Sequence, residues 1–380
     1  MNPVLQLGDI ASVVMGQAPP GKDCNKEGNG YPFVKAGEFS SDCPIIREWT
    51  TNPLKKAKDG DILVCVVGAT AGKVNLGINC AIGRSVAAVR PLPQRLDTNY
   101  LHHFLKTKTL ALRHGSQGLA QGVITREMLL GLEIPLPPLE EQRRIAAILD
   151  KAGNLRQHAN GQLCRAKDLL ASLFIETIGE PRQNPHDWST LPLAEAVQAG
   201  TDVTYGIVQA GEEFPGGIPY IRTGDIVDGE IDVSALRHTD PAIASRFIRS
   251  TVRTGEIIMS IRATVGTTAV VPTCLDGANL TQGTARVAPG KNVNGVYLLQ
   301  YLRMPSTQAW IQRQVKGATF REITLARLRE LPVLIPPMAI QDKFAAKATL
   351  ANSAIDSSKA LLSRIENLSL SLGNQLLGQK

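Results

Sequence analysis

The sequence predicts a mixed α/β (α+β) protein in which two similar α/β domains are separated by two long antiparallel helices. The helices are predicted to form a coiled coil, so that the chain is a pseudo-two-fold internal repeat. Three observations predict this fold. A proline–glutamine motif occurs twice, as IPLPPLEEQ at residues 134–142 and as VLIPPMAIQ at residues 333–341. Short β-branched segments precede each copy, and about forty residues with helical periodicity follow it.

Further blocks recur in the same order on both sides of the chain, which supports a duplication. The paired blocks are residues 31–39 and 218–226, 60–64 and 255–259, 69–72 and 263–266, and 115–118 and 317–320. A duplicated binding protein is expected to recognise two similar or half-similar targets at a fixed separation. The alternative is an old duplication that has no two-target function.

Each predicted domain contains short strands and a helix. In the first domain, residues 1–138, apolar β-branched runs at 61–67 and 86–89 indicate strands, and the spacing at 99–105 indicates a helix. In the second domain, residues 187–337, strands are predicted at 256–261 and 284–288 and a helix at 296–302. The two domains therefore repeat one plan.

The prolines of the first motif stop any preceding helix, and the periodicity changes directly after them. Apolar residues then recur at steps of three and four through residues 139–180, and again through residues 338–380. Two helices of this length most simply pack on each other, with two separate surface helices as the alternative. Residues 179–185 are predicted to end the first helix and to act as a linker.

Composition limits the class of protein without identifying it. No apolar run approaches the ~20 residues that span a bilayer, and the N-terminus has no signal-peptide pattern, so a soluble, cytoplasmic protein is expected. The six cysteines form no C-x-x-C pair, which argues against a zinc site. The net charge of +7 is weak evidence for a nucleic-acid partner. All but two of the Lys and Arg residues in the second domain are Arg, which suits bidentate recognition of guanine or phosphate.

No catalytic motif is present. Residues 68–74, GATAGKV, are one residue too short for a phosphate-binding loop, and Val74 replaces its hydroxyl residue. G-x-S-x-G, H-E-x-x-H and the tetrapeptide typical of amino-methyltransferases are absent from the sequence. His102 and His103 are expected to be a surface pair rather than metal ligands, and the chain itself is expected to bind no metal or cofactor.

The segment PLPPLEEQRRI at residues 135–145, followed by a long helix, resembles the specificity subunits of type I restriction–modification enzymes. GDILV at 60–64 and IPYIRTGDI at 218–226 are similar to the same family. The resemblance implies a non-catalytic subunit that recognises double-stranded DNA. Residues 1–138 and 187–337 would be target recognition domains, one for each half of a bipartite sequence. The helices at 139–180 and 338–380 would set the spacing between the half-sites.

The same resemblance implies partner subunits. Two modification subunits would dock on the paired helices, bind S-adenosylmethionine and methylate adenine. Restriction subunits that consume ATP are a further partner that the family allows, and no membrane is involved. The partner contacts are predicted at the starts of the two helices, at Gln142, Ile145, Leu149, Gln341 and Phe344.

Hydrogen-bonding side chains on loops held by a sheet are the groups expected to contact bases and phosphates. The predicted DNA-binding residues of the first domain are Tyr31, Lys35, Glu38, Thr70, Lys73, Arg84, Ser85, Gln117 and Gln121. Those of the second domain are Tyr205, Arg222, Thr223, Asp225, Arg262, Thr264, Thr281, Gln282, Lys316, Thr319 and Arg321. Two other classes remain open from the residues alone: a standalone binding or scaffold protein, and an enzyme with an unrecognised active site.

Overall fold

The structure is a computed structural model that describes residues 3–117, 123–317 and 321–377, without the side chains of residues 116, 117, 374 and 375. The chain divides into two compact units. Unit 1 consists of residues 1–160 and 360–380, and unit 2 consists of residues 161–359. No helix in the described parts of the chain is long and apolar enough to cross a membrane.

Unit 1 contains an α/β domain followed by the start of a long helix. Its strands are β1 (Val4–Gln6), β2 (Ala11–Met15), β3 (Cys24–Asn25), β4 (Tyr31–Val34), β5 (Trp49–Thr50), β6 (Lys56–Ala57), β7 (Ile62–Cys65), β8 (Val74–Leu76), β9 (Cys80–Ile82), β10 (Val86–Pro91) and β11 (Glu133–Pro135). Its helices are α1 (Thr98–Thr107), α2 (Thr109–Gln117), α3 (Arg126–Leu130) and the long α4 (Leu139–Ile178), which continues into unit 2.

Unit 2 repeats the main elements of this order and has two additional short helices. Its strands are β12 (Ser189–Pro192), β13 (Thr204–Tyr205), β14 (Ile218–Ile221), β15 (Ile226–Val227), β16 (Glu230–Ile231), β17 (Arg237–Thr239), β18 (Ile257–Ser260), β19 (Thr268–Val270), β20 (Asn279–Leu280), β21 (Thr284–Val287) and β22 (Pro332–Ile335). Its helices are α5 (Leu193–Ala196), α6 (Pro241–Ala244), α7 (Gly295–Arg303), α8 (Pro305–Gln314), α9 (Leu325–Arg329) and the long α10 (Met338–Leu376), which continues into unit 1.

The sheet topology shows the duplication directly. The four-stranded sheet β2-β10-β7-β8 of unit 1 has its counterpart in β13-β21-β18-β19 of unit 2. In a second sheet, β4 pairs in parallel with β9, as β14 pairs with β20. A two-stranded sheet, β1-β11 or β12-β22, leads into each long helix. The strands and helices predicted at 61–67, 86–89, 99–105, 256–261, 284–288 and 296–302 are all confirmed, with shifts of a few residues at their ends.

The central strand of each unit is buried on both faces, which explains its continuous apolar sequence. In β7, Ile62 and Val64 belong to a core with Tyr100, while Leu63 and Cys65 belong to a second core. The equivalent strand β18 divides in the same way between two cores. Alternate side chains point to opposite faces of a strand, so one apolar run can serve two cores.

The long helices pack in reversed order in both units. In unit 1, Ile145 and Leu149 near the start of α4 share a core with Leu376 near the end of α10. In unit 2, Phe174 near the end of α4 contacts Phe344 near the start of α10, with ring centroids 5.2 Å apart. This is the antiparallel order, and the predicted fold class is confirmed. The boundaries of the predicted domains stay a prediction.

Candidate nucleic-acid interface

Four loops at one end of the unit 1 sheets lie side by side, and we name residues 35–39, 66–73, 83–85 and 123–124 loop cluster 1. The Ala36 amide donates to Ser85 Oγ at 3.1 Å, which joins the first loop to the third. The Ile124 amide donates to the Val66 carbonyl at 2.9 Å, which adds the fourth loop to the second. Segments far apart in the sequence therefore present their side chains together, as the sequence analysis required.

Unit 2 assembles the equivalent loops, and we name residues 222–225, 261–264, 281–283 and 321–323 loop cluster 2. Thr223 Oγ1 donates to the Gly283 carbonyl at 3.1 Å, which joins the first and third loops. The Ile323 amide donates to the Ile261 carbonyl at 3.0 Å, which joins the second and fourth. The two clusters share a framework although their side chains differ.

The acidic residue of the first loop is structural in both clusters. Glu38 accepts a hydrogen bond from the Lys35 amide at 2.9 Å, and Asp225 accepts one from the Arg222 amide at 2.8 Å. Both carboxylates are buried, at 7% and 2% exposure, so neither can reach a base in this conformation. Burial therefore argues against the prediction that Glu38 and Asp225 contact DNA, and their hydrogen bonds fix the loop that carries their neighbours.

Several predicted cations are held by partners within the chain. Lys35 pairs with Glu48, whose carboxylate raises the pKa of the lysine and so keeps it charged. Lys73 Nζ donates to the Phe39 carbonyl at 3.0 Å. In unit 2, the same kind of restraint applies to three arginines. Their partners are Asp225 for Arg222, Glu322 for Arg262 and Gln312 for Arg321.

Three of the described cationic and amide side chains in the predicted set are not held in this way. Among the described residues, no side-chain hydrogen bond or ion pair involves Arg84 and Gln282, which occupy the third loop of clusters 1 and 2. The same is true of Lys316, whose backbone pairs with Glu322 beside loop cluster 2. Arg84 and Lys316 are also exposed. A free, exposed donor can rearrange to meet a base edge or phosphate without first breaking an internal bond.

The hydroxyl residues of the predicted set mostly support the loops. Besides the Ser85 and Thr223 bonds, Thr70 Oγ1 lies 3.1 Å from Cys65 Sγ, and Thr281 Oγ1 donates to the Ile221 carbonyl at 3.4 Å. Thr264 is exposed, and its Oγ1 lies 3.4 Å from Ser260 Oγ. Sequence order alone could not separate these supporting contacts from free donors.

The remaining predicted residues have mixed outcomes. Tyr205 is exposed and adjoins Gly206, whose amide donates to the Thr281 carbonyl at 3.1 Å, so it lies next to loop cluster 2. Tyr31 is at the far end of β4 from Lys35, about 13 Å away along an extended strand, and its ring faces Lys56 Nζ at 4.0 Å. Gln121 and Thr319, and the side chain of Gln117, lie outside the described residues.

A glutamine attaches each domain to its long helix, and its geometry is the same in both units. In unit 1, Gln142 Oε1 accepts from the Asp97 amide at 2.8 Å, and its Nε2 donates to the carbonyls of Arg95 at 2.9 Å and Pro137 at 2.8 Å. Gln142 is fully buried. We name this arrangement the glutamine clamp.

In unit 2, Gln341 makes the equivalent clamp. Its Oε1 accepts from the Asn294 amide at 2.9 Å, and its Nε2 donates to the carbonyls of Asn292 at 3.0 Å and Pro336 at 2.8 Å. A buried amide that makes all these bonds leaves neither its own oxygen nor its own nitrogen unpaired. The clamp explains why glutamine ends both copies of the motif.

The five residues predicted to contact partner subunits are all buried inside their own unit. Exposure is 0% for Gln142, Gln341 and Phe344, 2% for Ile145 and 9% for Leu149. Side chains without exposed area cannot form the contact surface of a separate subunit in this conformation. Burial therefore argues against direct partner contact by these residues, which attach each domain to its helix or fill the core around it.

The duplication also preserves an ion pair that the sequence analysis missed. Arg90 bonds to Asp61 at 2.7 and 2.8 Å in unit 1, and Arg286 bonds to Glu256 at 2.8 and 2.5 Å in unit 2. Each pair joins the central strand to its neighbour in the four-stranded sheet. An arginine within each otherwise apolar strand was the available signal. The described residues contain no group of His, Cys, Asp and Glu side chains that could hold a metal ion.

The family model of the type I restriction modification DNA specificity domain matches the chain twice, at residues 3–163 and 185–367. The chain belongs to this family. Each match contains one loop cluster, one glutamine clamp and part of a long helix. The family therefore accounts for the duplicated plan of the two units.

Individual relatives agree with the family match. The chain is 23% identical to the type I restriction enzyme EcoBI specificity subunit of Escherichia coli, over 97% of this chain and 84% of the relative. It is 32% identical to the putative type I restriction enzyme MjaX specificity subunit of Methanocaldococcus jannaschii, over 45% of this chain and 42% of the relative. That second match thus covers less than half of either protein.

Solved structures support the fold. The S subunit of a type I restriction-modification system from M. genitalium superimposes with a TM-score of 0.61 at 16% identity, over 99% of this chain and 96% of that chain. A chain from a study of complex assembly and conformational transition of the type I R-M system gives a TM-score of 0.56 at 17% identity, over 100% of this chain and 98% of that chain.

Proposed function

We propose that this chain is the sequence-specific DNA-recognition subunit of a type I restriction–modification system. Each α/β domain reads one half of a bipartite double-stranded target, and the chain itself carries no catalytic site. The observation that carries the proposal is the pair of loop clusters. They are built on one framework but offer different side chains, so one fold can recognise two different half-sites.

The side chains available at the clusters have the chemistry that DNA requires. Arginine can form a two-bonded contact with guanine, glutamine can do so with adenine, and lysine binds phosphate as a point charge. Arg84, Gln282 and Lys316 are the free members of these types. The held side chains, such as Arg222 and Arg262, keep the loops in shape before DNA arrives, which reduces the ordering cost of binding.

The partner subunits follow from the same proposal. Two modification subunits dock on exposed surfaces of the paired helices, and they supply S-adenosylmethionine binding and adenine methylation. Restriction subunits that use ATP are a further component of such a system. Because Gln142, Gln341 and Phe344 are buried, docking uses exposed residues of the helices. The cell compartment expected for this complex is the cytoplasm, where its DNA substrate lies.

The test is to co-express the full chain with a modification subunit and to sequence the methylated sites in a random DNA library. The expected result is two short specified segments separated by unspecified base pairs of fixed number. Loop exchange between the units would then move a half-site from one side to the other. Methylation without sequence preference, or a single contiguous site, would count against the proposal.

A further inference from the structure

Each recognition domain is attached to its long helix by two kinds of contact that differ in directionality. Apolar packing buries side chains such as Leu149 in unit 1 and Phe344 in unit 2. Burial of apolar surface is favourable at many orientations, because it depends on area and not on direction. Hydrogen bonds, in contrast, weaken steeply when the donor angle departs from linearity. The clamp is therefore the part of this joint that selects an angle.

In each unit the clamp bonds to the N-terminus of a domain helix, α1 or α7, which packs on the domain core. In unit 1 its acceptor atom holds the amide of Asp97, the residue whose carboxylate caps α1 through the amides of Asn99 and Tyr100. In unit 2 it holds the amide of Asn294, which caps α7 in the same manner. Each glutamine thus fixes the first turn of a domain helix against the first turn of the long helix.

A tyrosine from the same domain helix adds a second fixed point. The Tyr100 hydroxyl donates to the Pro135 carbonyl at 2.7 Å, and the Tyr297 hydroxyl donates to the Leu334 carbonyl at 2.8 Å. Both carbonyls belong to the strand that runs into the long helix, β11 or β22. Each domain is thus held by the bonds of one glutamine and one tyrosine. Rotation of the domain against its long helix would break these directional bonds.

Further along each long helix, a side-chain contact attaches the domain a second time, with different chemistry in the two units. In unit 1, His103 Nε2 lies 2.7 Å from Asp150 Oδ1 of α4. In unit 2, Lys359 of α10 pairs with Glu230 and donates to the Asp228 carbonyl at 3.2 Å. Two attachments separated along one helix define a direction, which a single attachment cannot do.

We propose that Gln142 and Gln341 are positioning residues that set the number of base pairs between the two half-sites. This inference rests on the proposed function. One additional base pair moves a half-site by about 3.4 Å and turns it by about 34–36° around the DNA axis. A domain free to tilt on its helix can follow such a displacement, whereas a clamped domain cannot. Loss of a clamp therefore relaxes the spacer length and leaves the bases of each half-site unchanged.

The test uses the full chain with its modification subunits and DNA in which the two wild-type half-sites are separated by spacers of different lengths. In Gln341→Leu, which keeps the apolar bulk, the preference for the wild-type spacer over its one-base-pair neighbours falls by about tenfold. Gln142→Leu has the same effect. The matched control is Ile355→Ala on α10, which loses buried apolar area and no hydrogen bond, and which keeps the wild-type preference.

Two further variants allow the inference to be tested even if Gln341→Leu does not fold. Gln341→Glu keeps the acceptor for the Asn294 amide and removes one donated bond if the buried carboxyl is protonated, or both if it is ionised. Lys359→Met removes the exposed tether and keeps the apolar stem. Both are expected to widen spacer tolerance, the second by a smaller factor. Variants that bind the wild-type target and retain the wild-type spacer preference within about twofold overturn the inference. Wild-type protein without a bipartite preference overturns the proposed function instead.

Discussion

Arg286 and Glu256 form a two-bonded ion pair between neighbouring strands of unit 2, with side chains only 12% and 9% exposed. The Arg253 amide donates a further hydrogen bond to Glu256 Oε2 at 2.9 Å. Asp61 and Arg90 repeat this arrangement in unit 1, where the Lys58 amide is the additional donor, at 2.8 Å. The pair therefore belongs to the framework of the domain rather than to its recognition loops.

Arg286→Leu is expected to destabilise unit 2 by about 3–5 kcal/mol, because it leaves the Glu256 carboxylate buried without its cation. The double variant Arg286→Leu/Glu256→Leu is expected to recover much of this loss. Arg327→Ala is the control, since its pair with Glu330 is more than half exposed and is worth about 0–1 kcal/mol. Urea unfolding measures all three, and equal costs for Arg286→Leu and Arg327→Ala would contradict the assignment.

His102 predicts a pH dependence of stability. It is buried at 3% exposure, its Nε2 has no hydrogen-bond partner within the described structure, and burial lowers its pKa from 6.5 to about 3. Neighbouring Lys106 and His103 lower this pKa further, and Asp42 opposes them. The expectation that His102 is a surface residue was therefore wrong, since one face of α1 packs against the core.

The direction of the pH dependence follows from the pKa of His102, which is lower in the folded state than in the unfolded state. The unfolded chain then binds the additional proton, so the contribution of His102 to stability falls as the pH decreases from 6.5 towards 3. The full slope for one such group is about 1.4 kcal/mol per pH unit. His102→Leu should flatten this part of the profile in thermal or urea unfolding between pH 4 and pH 7. A profile that retains the wild-type slope would show that another group is responsible.

Arg84→Ala is expected to weaken binding to the target DNA by about 1–3 kcal/mol if the guanidinium contacts a base, with relaxed preference at one position of one half-site. If it contacts a phosphate instead, affinity falls for all sequences and the salt dependence decreases by about one ion. Arg95→Ala removes the same charge beside the glutamine clamp, away from loop cluster 1. Equal effects of the two substitutions in a binding titration would remove Arg84 from the interface.

Insertion of one heptad into both α4 and α10 tests the spacing role of the helices. Seven helical residues add about 10 Å, which corresponds to roughly three base pairs of B-DNA. The preferred spacer should lengthen, and both half-sites should stay the same. Methylation sequencing measures this result, and an insertion into α4 alone serves as the control because it breaks the register of the helix pair. An unchanged spacer in the double insertion would refute the role.

The sequence predicted the repeated plan because hydrophobic period and motif order carry that information directly. The period changes from β-type to helical after Pro138, and α4 begins at Leu139. Period and motif order did not show that Gln142 and Phe344 are buried, because a repeated motif does not say which side of a helix faces inward. Burial depends on the domain that packs against the helix, which is a long-range contact.

For the loop clusters as well, the sequence predicted some features and not others. The alignment of residues 35–38 with 222–225 correctly selected equivalent loops. It could not separate Glu38 and Asp225, which cap those loops, from residues that face outward. The three-residue spacing from Lys35 to Glu38 and from Arg222 to Asp225 matches the reach of a side chain back to the start of a turn. That spacing was the signal for a structural role, and it also explains why both acids are buried.

Both glutamine clamps bond only to main-chain atoms: one amide and one carbonyl near the start of a domain helix, and the carbonyl of a proline just before the long helix. Every residue except proline offers both groups, and the contacted positions in fact differ, with Arg95 and Asp97 in one unit and Asn292 and Asn294 in the other. The clamp is thus indifferent to the side chains of the domain residues that it contacts. A domain with different recognition loops can therefore be attached to the same helix. Its target preference can change while the glutamine clamp stays the same.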